Sequence, residues 1–133
     1  MKFEHVTSKM VQWHHDRNLI DGATDWSQTE KMMEEMLELI ASQLSSQYSP
    51  EDIAFAGRHM IDRLLSKGRI KPVTEENAEE AKLDALGDMV VVAVNIAERN
   101  KSSLETCMNL AWNEIKDREG KMVDGTFVKE SDL

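Results

Sequence analysis

Three glutamates fall within five residues of one predicted helix: Glu34, Glu35 and Glu38, in the stretch KMMEEMLELI. At 100° per residue, with Glu34 at zero, Glu38 lies at about 40° and Glu35 at about 100°. Met32, Met33, Met36, Leu37, Ile40 and Leu44 fill an arc from about 160° to 300°. The carboxylates therefore share an edge that borders an apolar stripe. Taken alone, this is also the pattern of a solvated acidic face beside a core stripe. A second set raises the stakes. With Asp84 at zero, Asp88 falls at about 40°, Asn95 at about 20° and Glu80 at about −40°. Met89 to Ile96 surround that face with apolar side chains, the mark of a helix enclosed by others. An ionised Asp88 there is costly unless paired or bound to a metal. Lys82 and Arg99 are the nearest basic residues, and an ion pair to a distant arginine is the structural alternative. If the two edges face each other, five carboxylates cannot all stay ionised without a counter-charge. Oxygen-only ligands select hard cations, chiefly Mg²⁺, with Mn²⁺ as a substitute. Mg²⁺ keeps waters and binds phosphates, so the chemistry expected is a polyphosphate held through the cation.

The elements that must position these groups are helical. Apolar residues Val6, Met10, Trp13 and Leu19 predict a helix over about 4–19. Ser27 followed by Glu30 reads as a capping box that opens a helix over about 28–46. Ser49, Pro50, Glu51 and Asp52 open the next one, and Gly68 ends it. RIKPV is a linker. Thr74 caps a helix, with Glu75 and Glu76 in its first turn, that runs to about Arg99. MVVVAV is short and β-branched enough to be a buried strand, but no break separates it from the helical pattern before it. Ser102 and Glu105 form another capping box, for a helix ending near Arg118. Asp124-Gly125 between two short β-like runs predicts a hairpin. The fold class is thus all-α, a bundle of about five helices with a small C-terminal hairpin, as a single domain over residues 1–133.

Composition bounds the function. With 133 residues, one compact domain with a modest core is expected. The formal net charge of −9, read together with the lack of an obvious basic block, argues against a nucleic-acid partner. It also disfavours anionic substrates unless a cation bridges the repulsion. Cys107 is the single cysteine, which fits a reducing, cytoplasmic setting and excludes an internal disulfide. No signal peptide is visible and no apolar run is long enough to span a membrane. Helices apolar on most faces need more partners than a short chain provides, so an oligomer is expected.

EEMLE, Glu34 to Glu38, resembles the EExxE motif of the all-α nucleoside triphosphate pyrophosphohydrolases, the MazG-like family. DALGDMVVVAVNIA resembles that family's second motif, ExxD followed by an apolar helical run, and NLAWNEIKDREGKMVDGTFVKESD is similar to the end of phage and bacterial members. The resemblance covers most of the chain, more weakly from about Gln43 to Val73. It implies a helical homodimer or homotetramer that needs Mg²⁺ and cleaves a nucleoside triphosphate to the monophosphate and pyrophosphate. One position departs: the glutamate of ExxD would fall at Ala85, which has no ligand atom, and Asp84 stands one residue earlier.

Carried over residue by residue, the resemblance implies that Glu35, Glu38 and Asp88 ligate metal, with Asp84 substituting for the missing glutamate. Glu34 would bind a second cation or act as general base on the attacking water. Lys31 turns toward the acidic edge and either contacts phosphate or pairs with Glu35 one turn on. Lys116 and Arg118 are phosphate candidates, or lone surface cations. WHHDRNLI resembles the segment that borders the nucleotide pocket in relatives, which brings in His14, Arg17 and Asn18. Adjacent His14 and His15 point to different sides of a helix and form no metal pair. Trp13 reads as core, and Trp112 is the candidate for stacking on a base. Asn95 bonds a sugar hydroxyl or orients a carboxylate. Cys107 reads as packed. A catalytically impaired relative acting as a helical interaction or regulatory module is the alternative that Ala85 supports.

Overall fold

The computed structural model describes every residue except 45–47. Among the described residues the chain is mainly helical: α1 (Phe3–Asp16), α2 (Asp25–Ser42), α3 (Pro50–Ser66), α4 (Ala78–Arg99) and α5 (Leu104–Ile115) are followed by a hairpin of β1 (Gly120–Val123) and β2 (Thr126–Lys129). The residues divide into two compact units. One comprises residues 1–24 and 73–133, the other residues 25–72.

In the first unit, α1 packs on α5 and α5 on α4. Val6 and Trp13 are buried as their spacing predicts, and Leu19 and, from α4, Ala97 are buried with them. Helix α1 stops at Asp16, three residues short of the expected end. Asn18 adopts φ 58° there, and the Leu19 and Asn18 amides donate back to the carbonyls of His14 and His15. Those two hydrogen bonds close the helix and swing Leu19 under it. Lys101, at φ 57°, closes α4 in the same way through Ser102 and Ala97.

Two caps of this unit differ from expectation. Thr74 makes no side-chain cap bond; residues Glu75–Asn77 form a 3₁₀ turn and α4 proper begins at Ala78. Helix α5 is capped by Ser103, whose hydroxyl accepts from the Thr106 amide, rather than by Ser102. Glu105 cannot complete a capping box because its carboxylate accepts from the Phe3 amide at 3.0 Å, tying the start of α1 to α5. Helix α5 also ends at Ile115, short of Arg118. Cys107 is exposed, not packed. On α5 the half-buried residues Leu104, Met108, Trp112 and Ile115 form one stripe, and Cys107 falls roughly 95° from its centre.

The hairpin forms where Asp124-Gly125 predicts it. Both turn residues have positive φ, 51° and 78°, and Val123 pairs with Thr126 across them. The body supplies the support so small a hairpin needs: Phe127 meets Trp13 edge-on, with ring centroids 5.6 Å apart.

In the second unit the sequence neighbours α2 and α3 pack on each other. Helix α2 starts at Asp25, so Ser27 lies inside its first turn instead of capping it, and the expected end near Ser46 lies outside the described residues. Helix α3 follows the sequence signals closely. Ser49 accepts from the Asp52 amide while the Asp52 carboxylate accepts from the Ser49 amide, Pro50 opens the helix, and Gly68 closes it at φ 66°. Gly57 lets the two helices approach: a Cβ there would stand 3.0 Å from Leu37 Cδ2. Only Ile40 is buried among the described residues of this unit.

The apolar run of α4 is exposed in the single chain. Val91 is 68% accessible, and Met89, Val90, Val92 and Val94 are also exposed. The enclosure expected for them is not provided by α5, the helix α4 packs on.

Candidate functional site

Helix α2 presents Glu34, Glu35 and Glu38 to solvent. Leu37 and Ile40 take the side toward α3, and the helical repeat turns the three carboxylates well away from it. Lys31 pairs with Glu34, Nζ to Oε2 at 3.1 Å, and not with Glu35 as its i, i+4 spacing suggested. Both spacings are neighbours on a helix, so either carboxylate is within a lysine's reach. Glu35 is the perturbed member of the set. Partial burial of its carboxyl raises its pKa above the ordinary value, although the residue as a whole is exposed. The charge of Glu38, a hydrogen bond shared with Glu38, and the charge of Glu34 push it further up, while Lys31 opposes them. The edge is thus over-supplied with negative charge: one lysine faces three carboxylates.

Helix α4 presents Asp84 and Asp88 one turn apart, both exposed, with Asn95 exposed further along. Lys82 is engaged with Glu79 at 3.3 Å. The feared buried charge does not arise, because the flanking valines are themselves exposed. The glutamates belong to one unit and the aspartates to the other. Among the described residues, no group of three or more His, Cys, Asp or Glu side chains within a unit is gathered closely enough to hold a metal ion. The donor set nevertheless suits a hard cation. All the atoms are carboxylate oxygens, the ligand type that hard divalent cations take.

The remaining candidates collect at the C-terminal ends of α1 and α5. Trp13 is buried to 7% and its Nε1 donates to the Ile115 carbonyl at 3.0 Å. Arg17 lies over the Trp13 ring, Cζ 4.4 Å from the centroid. It donates through Nε to the Arg118 carbonyl at 3.1 Å and through Nη2 to the Lys116 carbonyl at 3.4 Å. A guanidinium is well matched to the carbonyls left over where a helix ends. His14 Nδ1 sits 2.6 Å from the Met10 carbonyl oxygen. Arg118 pairs with Glu114 at 3.3 Å, Asn18 serves the α1 terminus, and Trp112 is half-buried. Of this set, Lys116 alone keeps an exposed charge that no ion pair uses among the described residues. Nearby, an open depression of about 590 Å³ is lined by Glu114, Asp117, Arg118, Glu119, Lys129 and Glu130. Its acids outnumber its bases, a poor lining for phosphate.

One feature escaped the sequence reading although its signal was present. Between residues 58 and 71 stand Arg58, Arg63, Lys67, Arg69 and Lys71, against Asp62 as the one acid. In a chain of net charge −9 this is a local cationic block.

Comparison of the chain with protein-family models, curated proteins and solved structures returns no match.

Proposed function

We propose that the chain is a Mg²⁺-dependent nucleoside triphosphate pyrophosphohydrolase, working as a cytoplasmic homodimer or homotetramer. The observation that carries this reading is the exposed edge of α2, where Glu34, Glu35 and Glu38 share one lysine and where partial burial, followed by the charge of Glu38, raises the Glu35 pKa. The EExxE and DALGD resemblances supply the reaction class. Glu35 and Glu38 on α2 are the residues that would hold Mg²⁺, or Mn²⁺ in its place; the resemblance adds Asp84 and Asp88. When bound, the ion neutralises phosphate charge and lowers the pKa of an attacking water. Glu34 takes the proton of that water. The water oxygen bonds to phosphorus as the bridge between the α- and β-phosphates breaks and pyrophosphate leaves. Lys31 holds Glu34 in place and contributes positive charge at the same edge. The exposed Met89 to Val94 run supports self-association, since a second copy can cover what this chain leaves open. No helix among the described residues is long and apolar enough to cross a membrane.

The test is pyrophosphate release from a panel of ribo- and deoxyribonucleoside triphosphates with Mg²⁺ or Mn²⁺. Release is expected, with abolition by EDTA and by Glu38→Gln. A folded sample inert across common and modified nucleotides with both metals contradicts the reading. Ala85 favours one alternative, an impaired relative that acts as an interaction or regulatory module. Nucleotide binding measured by calorimetry without turnover would support that alternative.

A further inference from the structure

Helix α3 has two faces, and only one is used inside its unit. Gly57 faces α2 through Leu37 and Ile40. About half a turn away, Phe55 and His59 stack on each other, centroids 6.4 Å apart and planes 11° apart, with Phe55 67% exposed. Arg58 and Arg63 flank that pair, and Lys67 continues the row one turn after Arg63. All are exposed, and none has an ion-pair partner among the described residues. This is costly company in an acid-rich chain, where Lys31, Lys82, Arg118 and Lys129 each hold a carboxylate. The face is the convex side of a helix, which does not enclose a small molecule. An aromatic anchor framed by arginines is the composition of the centre of a protein interface.

The complement lies in the same sequence. From residue 75 to residue 88 there are Glu75, Glu76, Glu79, Glu80, Asp84 and Asp88, with Lys82 the one cation. Glu75 and Glu76 lie in the 3₁₀ turn that leads into α4, and Glu79 and Glu80 lie in the first turn of α4. We propose that the outer face of α3 docks against the acidic start of α4 of a second copy of this chain, reciprocally, so that each dimer contains the contact twice. A two-fold arrangement needs such a self-complementary pair. At physiological ionic strength the charges act over about 8 Å, so local complementarity outweighs the repulsion between two chains of net charge −9. The proposal rests on the self-association put forward above and adds a charged contact to the apolar one at Met89 to Val94.

The test is sedimentation velocity on three proteins and one mixture, with circular dichroism confirming that each variant is folded. The wild type is expected to self-associate, more weakly as salt rises. Arg58→Glu/Arg63→Glu and Glu76→Lys/Glu80→Lys should each weaken association by roughly tenfold or more. Mixed in equal amounts, the two should associate as well as the wild type, because the heterodimer has opposite charges at both contacts. If the wild type associates and the arginine variant matches it, self-association stands and this interface is wrong. The same conclusion follows if the folded variants fail to complement each other. A wild type that stays monomeric overturns both the interface and the self-association reading. Binding of a fluorescent single-stranded oligonucleotide, lost in Arg58→Glu/Arg63→Glu while self-association is unchanged, assigns the face to nucleic acid and overturns the proposal.

Discussion

The α1–α5 seam and the acidic edge of α2 both carry polar side chains picked out by the sequence, and the fold treats them in opposite ways. At the seam almost every polar group is consumed. Trp13 spends its indole N–H on Ile115, and Arg17 spends its guanidinium on two α5-terminal carbonyls and one aromatic face. Along α2, three carboxylates share one lysine, and two of them compete for the same space. Residue type alone does not separate the two cases, since arginine and tryptophan are as common in pockets as glutamate. What separates them is whether the group's bonding capacity has already been used. A spent group holds the fold together, whereas an unspent one is available to a ligand.

That contrast can be broken at either end. The largest expected effect is at the seam. Trp13→Ala removes a buried ring, its hydrogen bond, and the platform for Arg17 and Phe127, and should cost about 3–5 kcal/mol of stability in chemical denaturation. Loss of less than about 1 kcal/mol would mean that the seam is not a structural joint. Glu38→Gln should do the reverse, leaving the denaturation midpoint unchanged or higher while lowering pyrophosphate release by roughly a hundredfold or more. A variant that loses stability along with activity would place Glu38 among the spent groups. Arg17→Met keeps the stem and deletes the charge. It should destabilise by about 2 kcal/mol, because helix-end carbonyls lose a charged donor in a half-buried place. Unchanged stability with a raised Michaelis constant would instead return Arg17 to the substrate.

The smallest effect is a slope. The folded state raises the pKa of Glu35, so it binds that proton more tightly than the unfolded chain does. This contribution is fully present below the unfolded value of about 4.5 and is lost as pH rises through the folded value. Wild-type stability, minus that of Glu35→Gln, should therefore fall with pH across that window. A difference that rises with pH would mean that the carboxylate is stabilised, not crowded.

Much of the fold was legible because its signals are local. Ser49-Pro50 with Asp52, Gly68, and Asp124-Gly125 each dictate the backbone within a few residues, and the structure follows them. The failures are tertiary. Glu105 has the right spacing for a box with Ser102, but the Phe3 amide, remote in sequence, claims its carboxylate. Arg17 read as a residue bordering the nucleotide pocket because nothing in its neighbours shows that the end of α5 stops beside it. The acidic edge of α2 was legible as a face, since helical spacing fixes it. That Glu35 would be its perturbed member depends on side-chain packing that spacing does not encode.

The account stands or falls on whether the α2 carboxylates take a divalent cation. The direct measurement is a pH titration of the Glu35 side-chain carboxyl carbon by NMR, without Mg²⁺ and then with it. A midpoint above the ordinary glutamate value that drops when Mg²⁺ is added, with Glu38 shifting alongside, is the predicted result. Titration curves for Glu35 and Glu38 that overlay with and without the ion would contradict it.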